Sequence, residues 1–197
     1  MSLPVSPSFI LLALSLALSG CFGVPVSSLP RLMRLDFMTM DFNEVRAALR
    51  LPASLALRPG DAVMTIRTRT EDGVETADRF VLVEAPEPAE RAGLAEQARA
   101  GFTLGVFRVA PYDVPRLAAL QARIRASRDR GPRLRGSIDI RVSGGCLREA
   151  VAEGPLPVSS YLKPGRGERF ITLAEDVDLR QSIPSADWAE RMPRCAA

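Results

Sequence analysis

The sequence has no histidine, one lysine (Lys163) against 25 arginines, three cysteines, and only 6% aromatic residues. Each shortage removes something. Without histidine the chain cannot build a Ser-His-Asp triad, a Cys-His dyad or a histidine-ligated metal site from its own residues. So few aromatics make a large aromatic binding surface an unlooked-for feature. Arginine so far ahead of lysine in an alanine-rich chain reads as a GC-rich coding bias. The 23 acids are interspersed with the basic residues and leave a net charge of +3, so no nucleic-acid partner is expected. What is present is a 47% hydrophobic content over 197 residues, enough for one domain with a real core and too apolar for wholesale disorder.

The apolar residues are concentrated first at the N-terminus. Phe9–Leu18 (FILLALSLAL) is interrupted only by Ser15. As a helix its ten residues span roughly 15 Å, half of a hydrocarbon core of roughly 30 Å. That length suits the apolar region of an export signal better than a permanent span. Leu18-Ser19-Gly20-Cys21 follows immediately. This resembles the lipobox of bacterial lipoproteins, an aliphatic residue and two small ones before a cysteine. The resemblance covers about the first 21 residues, and the n-region MSLPVSPS departs from the usual pattern in having no Lys or Arg.

The resemblance implies cleavage before Cys21, a diacylglyceryl group on its thiol and a further acyl chain on its new amino group. The implied partner is a lipid bilayer, because two or three acyl chains anchor stably where one does not. In the enterobacterial sorting pattern an Asp after the cysteine retains the protein in the inner membrane. Phe22 stands there instead, which implies the periplasmic face of the outer membrane. The expected division is signal peptide 1–20, lipidated tether 21–30 and one β-rich globular domain 31–197.

Within that domain the alternation of Leu134, Gly136, Ile138, Ile140 and Val142 with polar neighbours predicts a half-buried strand. Met64, Ile66, Thr68 and Thr70 behave similarly. Glu71-Asp72-Gly73 predicts a turn into a strand over 76–84, whose FVLV centre reads as buried on both faces. Further strands are expected at 102–109, 169–173, 45–51 and 32–40. Asp113 as cap, Pro115 in the first turn and Gly131 as stop predict a helix with Leu117, Leu120 and Ile124 on one side. Arg116, Arg123, Arg125 and Arg128 extend from its other sides, and a second helix is expected over 89–99. The fold class read from this is α+β: a mainly antiparallel sheet, sandwich-like or single and twisted, with one amphipathic helix packed across it.

With Cys21 set aside as the lipidation site, Cys146 and Cys195 remain. An even remainder in an exported protein predicts a Cys146–Cys195 disulfide; two free thiols are the alternative. No cofactor or metal is expected. Glu175-Asp176-Val177-Asp178 lacks the glycine and distal glutamate of a calcium loop and reads as a solvated strand edge. Gly165-Arg166-Gly167-Glu168 reads as a tight hairpin. Ser159, Ser160, Tyr161 and Lys163 cluster without the spacing of a serine–lysine nucleophile. No catalytic residue is assigned. The function expected is a non-catalytic binding or scaffold module for an envelope protein, polymer or lipid. The alternative is an envelope hydrolase that cleaves glycans with paired carboxylates.

Overall fold

The computed structural model describes residues 25–91, 93–128, 135–151 and 153–196. Nine strands follow in chain order: β1 (Arg46–Pro52), β2 (Leu55–Ala56), β3 (Ala62–Arg69), β4 (Glu75–Glu84), β5 (Phe102–Val109), β6 (Arg135–Val142), β7 (Cys146–Leu147), β8 (Pro157–Lys163) and β9 (Ile171–Asp178). The helices are α1 (Leu29–Leu32), α2 (Val114–Arg128), α3 (Leu179–Ser182) and α4 (Trp188–Arg191). Seven strands form one antiparallel sheet in the order β6-β3-β4-β5-β1-β8-β9, and β2 pairs with β7 apart from it.

The long strand β4 changes partner along its length. Residues from Glu75 to Val81 pair with β3, and Leu82–Glu84 pair with β5. Contacts between β6 and β8 bring the two ends of the sheet toward each other, so it is nearly closed. A sheet curled this far encloses its inner face. Leu49 and Leu51 of β1, Met64 and Ile66 of β3, Phe80 of β4 and Ile140 of β6 are buried in that main core.

The alternation read over 136–142 places Ile140 and Val142 inside, as a strand with one wet face requires. Leu134 lies outside the described residues. In β3 the first five residues are buried whichever face they take, and β4 and β6 pair with the strand on its two edges. The FVLV segment departs from expectation: Phe80 and Leu82 are buried, but Val81 and Val83 only half so. It is a one-sided strand.

Two local expectations are corrected. Residues 32–40 form no strand; α1 and a run of turns occupy them, with Thr39 N–H donating to Asp36 O. Residues 89–99 form no continuous helix but two short 3₁₀ turns, Pro88–Arg91 and Ala95–Gln97. Gly93, at φ +85° between them, breaks the helical path. The segment 21–30 is described from Pro25 onward, as a 3₁₀ turn (Val26–Ser28) and the start of α1.

Helix α2 buries Leu117, Leu120 and Ile124 in the main core and exposes Arg116 and Arg123. Asp113 does more than mark its start. It is buried, its carboxylate accepts the Val81 N–H of β4 at 3.1 Å, and Arg116 pairs with it. Gln121 Nε2 donates to Phe37 O and Met40 O, which ties the 36–40 turns to the helix. The expected stop at Gly131 lies outside the described residues.

The C-terminal tail closes the molecule. Cys146 and Cys195 are bonded, with their Cα atoms 4.8 Å apart. Gly145 N–H donates to Arg191 O and Cys195 N–H to Leu147 O, so the tail runs beside β7. Gly144 and Gly145 make this approach possible. A Cβ on Gly145 would lie 2.8 Å from Ala56 O, and one on Gly144 would lie 2.7 Å from Asp61 Oδ1.

Candidate functional site

The outer face of the sheet carries a buried charge cluster built around Arg50. In β1, Ala47, Leu49 and Leu51 point into the main core, so Ala48 and Arg50 point the other way. There Ala48, Val106 and Tyr161 form a second, smaller apolar cluster with Ala85 and Leu94 from the 85–99 segment that covers it. Register places Arg50 beside Ser159 of β8 and Leu104 of β5. Arg50 is therefore held under a covering loop at the edge of an apolar layer, and its side chain is only 8% exposed.

A buried guanidinium needs partners, since an isolated charge in such a place is strongly disfavoured. Arg50 Nη2 donates to Ser159 Oγ at 2.9 Å and to Asp176 Oδ1 at 3.0 Å, and Nη1 reaches Gln97 O at 3.4 Å. Its Nε has no partner among the described residues. Asp176 reaches Arg50 because β9 bulges opposite Ser159: Val158 pairs with Val177 and Ser160 with Ala174, so Glu175 and Asp176 face one residue. Asp176 takes φ +48°, a left-handed conformation that Asp tolerates better than most residues. Its N–H donates to Ser159 Oγ at 3.0 Å, and Arg99 Nη1 donates to its Oδ2 at 3.2 Å. Arg99 also lies over the Phe102 ring at 4.8 Å.

This arrangement is suited to holding strands together. The Asp176 carboxylate is shared between two guanidiniums, and Ser159 Oγ also donates to its Oδ1 at 3.3 Å. Ser159 Oγ accepts from Arg50 and from the Asp176 amide, leaving it no free trajectory to a substrate. The cluster locks β1, β8, β9 and the 95–99 turn.

The residues grouped in sequence as 159–163 are separated in space. Ser159 joins Arg50. Ser160 faces the main core with Leu49, its hydroxyl buried and unpartnered among the described residues. Lys163 lies two pleats farther along the same face, roughly 13 Å from Ser159, where Glu90 is its partner at 4.0 Å. Arg166 of the 165–168 turn pairs instead with Glu44, whose carboxyl it holds below the ordinary value. Of the acidic stretch, Asp176 is committed to arginines, and Asp178 Oδ1 accepts the Leu156 and Arg180 N–H groups, capping α3. Among the described residues no group of three or more Cys, Asp or Glu is placed to hold a metal ion. Cys21 lies outside the described residues.

Arg50 had a readable signal: one charge inside Ala47-Ala48-Leu49-Arg50-Leu51, a run otherwise apolar on both faces. Its partner had none, because the pairing with Asp176 spans 126 residues.

Tyr161 sits beneath this cluster with its hydroxyl buried and without a hydrogen bond of good geometry. Burial lifts the phenol above its ordinary value of 10.0, against smaller lowering effects of Ser159 and the Arg50 charge. A raised folded-state value means that the stability contribution is complete below pH 10 and is lost as pH rises through the folded value. Tyr161→Phe is expected to be neutral or stabilising by up to about 1 kcal/mol at pH 7. Its advantage should widen above about pH 10, where only the wild-type unfolded chain gains by ionising. Urea midpoints of both proteins at pH 7 and pH 10.5 check this. A Tyr161→Phe midpoint well below wild type at pH 7 would mean that the hydroxyl has a partner after all.

No family model matches this chain, and no curated protein or solved structure matches it.

Proposed function

We propose that the protein is a lipid-anchored envelope lipoprotein whose domain, facing the periplasm from the outer membrane, serves as a non-catalytic binding or scaffold module. The observation that carries the reading is Leu18-Ser19-Gly20-Cys21 directly after the apolar run Phe9–Leu18. Two features support it. Cys146 and Cys195 lie at disulfide distance, which suits an oxidising compartment. No helix among the described residues is long and apolar enough to cross a membrane, and acyl chains on Cys21 supply attachment.

Within this reading α2 is the amphipathic helix of the fold, a brace with its leucine face on the sheet and its arginine face toward water. A glycan hydrolase acting through paired carboxylates is the weaker reading. Asp176, Asp113, Glu44 and Glu90 are each engaged by arginine, and Asp178 by backbone amides, which leaves none of the five poised for acid–base work.

The expected result of growing the bacterium with a clickable fatty-acid analogue is label on the wild-type protein and none on Cys21→Ser. An N-terminal peptide starting at acylated Cys21 should appear by mass spectrometry. Label retained on Cys21→Ser would overturn the assignment.

A further inference from the structure

The membrane-proximal end of the described chain has a second feature that the anchor alone does not use. In α1 the Met33 N–H donates to Leu29 O at 2.9 Å, so Leu29 and Met33 stand one turn apart on the same side. Both face outward, Leu29 at 44% and Met33 at 86% exposure. The opposite side is already taken, since Leu32 and Leu35 pack against the main core. Arg31 and Arg34 flank the exposed pair and are themselves exposed. The stretch from Pro25 to Leu35 contains no acid, and among the described residues neither arginine has a carboxylate partner.

Such a patch, two large apolar side chains ringed by unneutralised arginines, costs a water-facing surface something and is matched by an anionic bilayer surface. Leucine and methionine enter below the headgroups while guanidiniums pair with phosphates. Chain length argues for that occupant. Seven residues separate Cys21 from Leu29, and three of them are in a 3₁₀ turn. Even with the rest extended, the patch stays within about 25 Å of an acylated Cys21. The tether is too short to let it leave the neighbourhood of the membrane.

We infer that Leu29, Met33, Arg31 and Arg34 form a second membrane contact that seats the domain on an anionic bilayer beside the acylated Cys21. The inference rests on the lipid-anchor reading and adds a docked orientation to it. α1 lies at the headgroups, and the domain is fixed against the bilayer instead of swinging on a free tether.

The full acylated chain carrying Met33→Cys, labelled with an environment-sensitive fluorophore, is reconstituted into phosphatidylethanolamine–phosphatidylglycerol (3:1) vesicles. Val74→Cys, at an exposed position in the β3–β4 turn, is the comparison. Mass spectrometry of the same sample reports acylation of Cys21. The label at position 33 should shift to the blue and be shielded from iodide several-fold better than the label at position 74. Arg31→Gln and Arg34→Gln should each lower the docked-to-free ratio about fivefold. Acylated protein whose label at position 33 is as quenchable as that at position 74 overturns the docking and leaves the anchor standing. Protein without acyl chains on Cys21 overturns the anchor, and the docking with it. A label shielded in native envelopes but free in the vesicles replaces the bilayer with a protein partner and so also overturns the inference.

Discussion

Truncating Leu120 to Ala is expected to lower the stability of the domain by about 2–5 kcal/mol. Leu120 is 2% exposed and belongs, with Leu117 and Ile124, to the main core. Removing three carbons there loses their transfer from water and leaves a space that the surrounding strands can fill only in part. Leu120→Asp should be worse, because it adds an unpaired charge in an apolar layer. Arg125→Ala is the contrast. Arg125 is exposed and donates to Met38 O at 2.9 Å, so its loss should cost about 0.5 kcal/mol. Since typical domain stability is only about 5–15 kcal/mol, the Leu120 variants should melt many degrees below wild type, or fail to fold. Thermal melts of the four proteins by circular dichroism decide it. Leu120→Asp melting with wild type while Arg125→Ala unfolds would mean that α2 presents its arginine face to the interior.

Replacing both Cys146 and Cys195 by Ala is expected to cost about 4 kcal/mol by the loop-closure estimate for a separation of 49 residues. The tail would keep its other ties. Gly145 N–H still donates to Arg191 O, Leu147 N–H to Pro193 O, and Arg58 Nη2 to Arg191 O at 3.0 Å. Met192 stays buried under Gly145. The loss should therefore appear as a lower denaturant midpoint with the native fold retained, not as a detached tail. A midpoint equal to wild type would show that the bond constrains little in the unfolded chain. Cys146→Ala alone should match the double variant, provided that no new intermolecular disulfide forms through Cys195.

Much of the architecture was legible from local pattern. β5 was read at its observed limits, 102–109, and β6 follows the period-two alternation of Ile138, Ile140 and Val142. The helix was visible in Pro115 and in the spacing of Leu117, Leu120 and Ile124. These elements carry their signal in neighbouring residues, because burial on one face imposes a period on the chain. Residues 32–40 and 89–99 misled for the same reason. Several of their apolar residues do face a core, Met33 excepted, but single leucines and methionines plugging a gap need no regular element behind them. Leu94 is buried between two short turns, and Leu35 is packed against the core from a run of turns.

What the sequence by itself determined is the apolar run Phe9–Leu18 before Ser19-Gly20-Cys21 and the strand and helix periods. These follow from residues adjacent along the chain. Tertiary structure alone decided that β4 bridges two groups of strands, that Arg50 meets Asp176 across 126 residues, and that Leu29 and Met33 are left facing outward. Each of those depends on what lies opposite a residue in space. The chain's local pattern says that a side chain must be buried or paired, but only the closed packing of distant segments says against what.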